Sequence, residues 1–405
     1  MCLGNTVSLG RTGAVFMAEL TQNRELMTDV ENILTNLVRA GLGDGSVCDD
    51  IVTKAQELIP EDWDALVALA GPHHLSGIVM DGVTNCRSAA QNGSEPTIPD
   101  TAWLRLVGRA AVEEEKYEAR QNAVAELADF FSSNGVPFML LKGWGLSLYY
   151  PVPKHRSFSD IDIWNFGEYR RADELVSGKL GIKISNDVHH HTKFVYKGLL
   201  VENHYDFVAR HARRSDARFD DLLKAVVREE SGREVTAVGE NGVEGSLLLP
   251  GPTLNALFLM RHLAAHFAAE RVSMRHLCDW KQFVEREGRN VDWTRINGIY
   301  ADFRMKRFTD AVTGICVRYL GLDGSIVPDR VHDEFLEDRI LADVLNPEFP
   351  DQTMPADGFL KTVIWKIRRF RANKWKHRIV YPEPWAWTFV QSSFSHLLKP
   401  KTIAH

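Results

Sequence analysis

Cysteine is scarce. Five residues, Cys2, Cys48, Cys86, Cys278 and Cys316, are scattered over 405 positions without a CxxC pair. Such spacing argues against a disulfide framework and a cysteine zinc site, and it fits a reducing cytoplasm. Long apolar runs are lacking too. No stretch approaches the roughly 20 apolar residues of a membrane span, so no stable membrane association is expected. The opening MCLGNTVSLGRTGAVFMAEL has no continuous apolar segment, and Cys2 is preceded by Met1 alone, which favours a disordered leader over residues 1–16 above a lipidated cysteine. Positive charge is not in excess. With a formal net charge of -6, the surface as a whole does not attract nucleic acid, and any basic site must be local. Fixed-period repeats and low-complexity tracts are missing, which disfavours solenoids and disorder.

What is present is a chain 44% apolar, long enough for two or three lobes because single cores stop growing near 250–300 residues. From Ala18 to Ala70 apolar residues recur at helical spacing, as in Leu34, Leu37, Val38 and Leu42. The stretch from Asn85 to Asp100 is rich in Asn, Ser, Gly and Pro and reads as a loop, and Trp103 to Phe131 reads as one long helix. After Gly135 the texture changes. Val136 to Leu141 and Asp160 to Trp164 read as buried strands, Glu168 to Leu180 as a helix, and His191 to Tyr196 with Leu199 to Phe207 as a hairpin about Lys197-Gly198. Helical spacing returns from Thr253 to Leu320, and the end of the chain is basic and aromatic. The expected fold is α+β: a helical lobe at 17–134, a core with a small mixed sheet at 135–250, a second helical lobe at 251–345, and a basic tail at 346–405 packed on the body.

The informative segment is LLKGWGLSLYYPVPKHRSFSDIDIW, residues 140–164. A strand runs into Lys142-Gly143, where a glycine lets the backbone approach a phosphate and the start of a helix offers amide donors. In Asp160-Ile161-Asp162-Ile163 strand alternation puts both carboxylates on one face and both isoleucines on the other. Two such charges repel unless water or a cation intervenes, and Mg²⁺ bound by carboxylates and nucleotide phosphates is the natural cation. A third acid is offered by LLVENHYDF, residues 199–207, where alternation puts Glu202, His204 and Asp206 on one face. Three carboxylates would suffice for a two-metal nucleotidyl transfer, and either Glu202 or Asp206 can supply the third.

These motifs resemble the bacterial uncharacterised nucleotidyltransferase family of the polymerase β superfamily: a Lys-Gly turn, an Arg shortly before Asp-Ile-Asp, and a later Glu-x-His strand. The helices around RHLAAHF (261–267) and MRHLCDW (274–280) are similar to that family's carboxy-terminal part. The resemblance implies a polymerase β-like core, Asp160, Asp162 and Glu202 as catalytic metal ligands, and Lys142, Gly143 and Arg156 at the nucleotide. It further implies transfer of a nucleoside monophosphate from an NTP, ATP foremost, to an acceptor hydroxyl, with release of pyrophosphate. The acceptor stays open among a small molecule, a glycan precursor, a protein side chain and an RNA end. One departure is Gly143-Trp144, where the superfamily's common glycine-serine pair has a small hydroxyl. A catalytically silent nucleotide-binding or interaction module on the same fold is the alternative.

Other candidates carry bland readings beside functional ones. Of His189, His190 and His191 at most two can share a strand face, so a zinc site is not expected there. His262 and His266 are one helical turn apart, but without an HExxH glutamate they point to packing or acceptor contact. Arg275 and Asp279, four apart, form either an intrahelical ion pair or part of the cleft wall. The tail residues between Lys361 and Arg378 either bind nucleic acid or form a solvated face of a packed helix.

Overall fold

Thr28 opens the first described helix with a capping box: its hydroxyl accepts the Glu31 amide and its own amide donates to the Glu31 carboxylate. The computed structural model describes residues 27–89, 97–186, 190–211, 213–240, 242–269, 271–347 and 359–385. The leader at 1–16 and the last residues of the tail lie outside them. The amino-terminal helices are α1 (Asp29–Gly41), α2 (Cys48–Ala55), α3 (Pro60–Ala70), α4 (Ser76–Ala89) and the long α5 (Asp100–Ser133). α1 and α4 cross at bare backbone. A β-carbon on Gly41 would lie 2.0 Å from the Ile78 carbonyl oxygen, and one on Gly82 2.0 Å from that of Leu37.

This crossing corrects the expectation from cysteine spacing. Cys48, at the start of α2, is disulfide-bonded to Cys86 in α4, with Cα atoms 4.9 Å apart. The pair is 38 residues apart in sequence, a distance closed only by helix packing. Cys278 and Cys316 are free and buried. Cys86→Ser is expected to lower unfolding stability by about 2–4 kcal/mol, the usual range for a loop of this size. Denaturant titration with and without reductant checks this.

The sheet has the order β3-β4-β2-β1-β6-β5, with β1 (Met139–Leu140), β2 (Asp160–Trp164), β3 (His191–Tyr196), β4 (Leu199–His204), β5 (Arg233–Val238) and β6 (Glu244–Leu249). It is mixed. β2 runs parallel to β4 and antiparallel to β1, while β1 runs parallel to β6. The expected strand at 136–141 shrinks to two residues, since Pro137 has no amide and its carbonyl accepts the Asn165 side chain instead. A four-residue α6 (Trp144–Ser147) follows β1, and α7 (Tyr169–Leu180) follows β2.

One face of the sheet is apolar. Ile161, Ile163, Phe194 and Val201 pack there with Val124, Leu127 and Phe131 of α5 and with Ala172 and Val176 of α7. The carboxy-terminal helices are α8 (Arg214–Glu229), α9 (Pro252–Ala269), α10 (Met274–Glu287), α11 (Trp293–Asp302), α12 (Lys306–Leu320) and α13 (Glu334–Leu345), and residues of α8, α9 and α10 line the clefts on the other face. Pro252 opens α9, a position where its missing amide costs no helical bond. Two tail helices follow, α14 (Phe359–Ala372) and α15 (Lys374–Val380). The second docks through Lys376, buried and 2.5 Å from Asp343, and Tyr381 stacks under Arg213 and Arg261 at 3.6 and 4.7 Å from their guanidinium carbons.

Candidate active site

The site starts from a two-residue turn. Lys197 and Gly198 both have positive φ, 48° and 81°, as a tight hairpin turn requires, and this locks Tyr196 opposite Leu199. Counting back along the ladder, Lys193 falls opposite Glu202 and His191 opposite His204. Parallel pairing of β4 with β2 then sets Glu202 beside Asp162. Because side chains alternate, His191, Lys193, Glu202, His204, Asp160 and Asp162 share one polar face, with the isoleucines behind it.

Asp162 is the centre of that face. It is fully buried, its Oδ1 lies 3.1 Å from both Lys142 Nζ and His204 Nε2, and its Oδ2 has no hydrogen-bond partner. Burial pushes its pKa up, but the Lys142 charge and the His204 hydrogen bond outweigh this and hold it well below the usual range. Lys142 Nζ is also 3.9 Å from Asp160 Oδ2, so one ammonium stands between the two aspartates. Burial would lower the Lys142 pKa, yet the charges of Asp162 and Asp160 raise it. Glu202 responds in the opposite sense to Asp162. Burial, then the neighbouring Asp162 charge, raise its pKa. Donor atoms of Asp162, Glu202 and His204 lie within 4.8 Å of one another, the kind of convergence a metal ion needs.

Gly143 turns the chain out of β1 with φ 63° and ψ -118°. A β-carbon there would meet the Asp160 carbonyl oxygen at 3.3 Å and the Phe158 ring at 3.4 Å, so the turn requires glycine. Its carbonyl accepts Arg156 Nη1 at 3.1 Å. Arg156 is otherwise committed to Asp279 through a bidentate pair, Nε to Oδ1 at 2.9 Å and Nη2 to Oδ2 at 2.7 Å, and Tyr150 donates to the same carboxylate at 2.7 Å. Arg156, assigned to phosphate by the resemblance, is therefore a buried brace under the glycine turn. The intrahelical Arg275–Asp279 pair is likewise replaced, since Asp279 reaches Arg156, 123 residues away in sequence. Arg275 donates to the Ser157 carbonyl at 2.5 Å and its Nε has no partner. Burial, then the Arg156 charge, lower its pKa. It lines a narrow cleft with Lys142, Gly143 and Asp160.

A second, larger chamber of about 370 Å³ adjoins that cleft through Lys142, Asp160 and His262. Its walls include Glu202, His204, His262, His266, Arg261 and Tyr381. Asp206, the other candidate for the third carboxylate, is not in it. The ladder ends at His204, the amides of Tyr205 and Asp206 both donate to the His190 carbonyl, and the Asp206 carboxylate pairs with Lys224. Breaking the strand there breaks the alternation on which that candidacy rested. His262 and His266 meet edge to face in the chamber wall, with ring centres 4.4 Å apart.

Sequence reasoning missed Lys193 and Arg120. Lys193 was legible from the hairpin turn, which dictates its partner. Arg120 was not, because nothing in α5 marks one arginine among its charges. Its Nε and Nη1 are buried without a hydrogen-bond partner, and its guanidinium carbon is 5.4 Å from the centre of the Phe158 ring.

No curated protein and no solved structure matches the chain. The family model described as uncharacterised nucleotidyltransferase matches residues 60–321, well over half the length, and spans the glycine turn, the two aspartates, the Glu202 strand and the Arg275–Asp279 helix. On that match, the chain belongs to the uncharacterised nucleotidyltransferase family.

Proposed function

We propose that the protein moves a nucleoside monophosphate from an NTP, ATP foremost, to an acceptor hydroxyl and releases pyrophosphate, with Mg²⁺ held by Asp160, Asp162 and Glu202. The observation that carries this reading is Asp162: a buried carboxylate with one unpartnered oxygen, converging with Glu202 on a face that already attracts an ammonium. Buried polar atoms are rarely left unsatisfied, and an oxygen of this kind suits a hard divalent cation. Bound there, Mg²⁺ supplies charge neutralisation for the phosphates and lowers the cost of deprotonating the acceptor.

The protein's own groups supply the rest. The acceptor oxygen attacks the α-phosphorus, the bond from that phosphorus to the α–β bridging oxygen breaks, and the acceptor proton passes to a Glu202 oxygen that the ion does not engage. Lys142 neutralises the aspartates before substrate arrives and stands in the cleft to meet the phosphates. Arg275, with an unspent donor in that cleft, faces charge developing on the leaving pyrophosphate. The larger chamber takes the acceptor.

Arg275→Ala is expected to reduce kcat/KM for NTP by about 10–100-fold, the equivalent of one charge-assisted hydrogen bond of about 1.5–3 kcal/mol. Steady-state kinetics at varied NTP checks this. The reading as a whole is tested by incubating α-phosphate-labelled NTPs with cell extract and the protein, beside an Asp160→Asn/Asp162→Asn variant. Labelled product absent from the variant supports transfer. Equal labelling in both overturns it and favours a silent nucleotide-binding module, whose aspartates Lys142 alone would neutralise.

A further inference from the structure

At the edge of the polar face, three imidazoles converge. His190 and His191 have ring centroids 4.3 Å apart, and they lie 5.5 and 4.9 Å from that of His204. Donor atoms of the three all fall within 4.8 Å of one another. Consecutive residues were expected to point to opposite faces. They do not, because His190 precedes the first ladder position of β3 and is free of the strand's alternation.

We propose that His190, His191 and His204 form a binding site for one divalent transition-metal ion of the zinc class, with Glu202 alongside as the fourth donor. Glu202 is shared with the proposed Mg²⁺ site, whereas the three imidazoles are not among its ligands, so the test reads metal binding itself and not nucleotidyl transfer.

Three independent observations carry it. First, His191 is 3% exposed and neither ring nitrogen has a hydrogen-bond partner, while His190 Nδ1 is also buried and unpartnered. Such groups are costly to bury empty, and each is an imidazole donor. Second, His204 Nδ1 lies 3.2 Å from the Asp206 backbone carbonyl, which orients the ring with Nε2 towards the cluster, where an ion would replace the proton that Nε2 shares with Asp162 Oδ1 at 3.1 Å. A carbonyl behind a histidine in this way is the usual support for a metal ligand. Third, Glu202 is placed to complete the set, Oε1 at 3.3 Å from His191 Nε2 and Oε2 at 3.8 Å from His204 Nε2. Tetrahedral zinc with bonds of about 2.0–2.1 Å draws these donors closer together, a movement within reach of ring rotation.

The donor chemistry selects the metal. Mg²⁺ takes oxygen ligands and keeps water, whereas imidazole nitrogen suits zinc, cobalt and nickel. Lys193 Nζ, 3.3 Å from Glu202 Oε1, competes with the ion for that carboxylate and makes the histidines the primary holders.

The test uses Zn²⁺ and Co²⁺ alone, added to metal-stripped full-length protein. One equivalent of Co²⁺ is expected to bind and give the intense visible bands of a four-coordinate nitrogen and oxygen set. In His190→Gln/His191→Gln the affinity is expected to fall more than about 100-fold, with far-ultraviolet circular dichroism unchanged. His190→Gln alone, the less buried position, serves if the double variant is misfolded, and is expected to bind more weakly with altered bands. In Asp160→Asn, binding is expected to persist while nucleotidyl transfer is lost, which separates this site from the aspartate site. Failure of the wild-type protein to take up Zn²⁺ or Co²⁺, or unchanged binding in folded histidine variants, overturns the proposal.

Discussion

Asp162→Asn is expected to lower nucleotidyl transfer by on the order of 10³-fold, the equivalent of several kcal/mol of charge stabilisation at about 1.4 kcal/mol per tenfold. The substitution keeps the shape of the side chain while removing its charge, and the surrounding groups state the consequence. Lys142 loses its nearest counter-charge, His204 Nε2 faces an amide, and the unpartnered Oδ2 position no longer attracts a cation. Because Asp162 is buried beside an ammonium that then lacks its partner, thermal unfolding must be measured with the kinetics. A rate within tenfold of wild type in a folded variant would remove Asp162 from the catalytic role.

The second large effect is on stability. Asp279→Ala is expected to destabilise the fold by about 3–5 kcal/mol, because it leaves the buried Arg156 guanidinium with only backbone carbonyls for company. Replacing both, as Arg156→Met/Asp279→Leu, is expected to cost less than the single change, since no uncompensated charge remains. The pH dependence follows from the same pair. Burial opposes the Asp279 charge, but the Arg156 charge and its hydrogen bonds outweigh it, so its pKa in the folded state lies below the ordinary 3.8. A depressed carboxyl contributes stability that is present above its unfolded pKa and lost as pH falls through the folded one. The wild type is therefore expected to lose stability on acidification below about pH 4 more steeply than Asp279→Asn, as acid-induced unfolding followed by fluorescence would show.

Where the sequence was legible, short-range rules governed. Asp160 and Asp162 share a face because strands alternate. The long helix covers Asp100–Ser133 because its spacing is unbroken, and the Lys197-Gly198 turn fixes a hairpin whose register can be counted. Where it was not legible, the decisive partner lay far along the chain or a regular element stopped early. Arg156 has a motif position that suggests phosphate, yet its partner Asp279 lies 123 residues further along, in α10. Cys48 and Cys86 meet because α2 packs against α4. Asp206 fails as a third carboxylate because β4 ends two residues before it, and His190 joins His191 because β3 has not yet begun. Alternation predicts contacts inside a strand, and both of these residues sit just outside one.

The wall supplied by Tyr381 makes closure of the chamber depend on a distant segment of the sequence. Lys142, Asp160, Asp162 and Glu202 precede in sequence the helices facing them, and the aromatic ring that closes over Arg213 and Arg261 follows all of those helices. Glu383, just beyond it, accepts both the amide and the hydroxyl of Ser215 at 2.8 Å, fastening this segment to the start of α8. The charged groups of the chamber thus come from one part of the sequence and its closing wall from another, so enclosure depends on the docking of the segment that carries Tyr381.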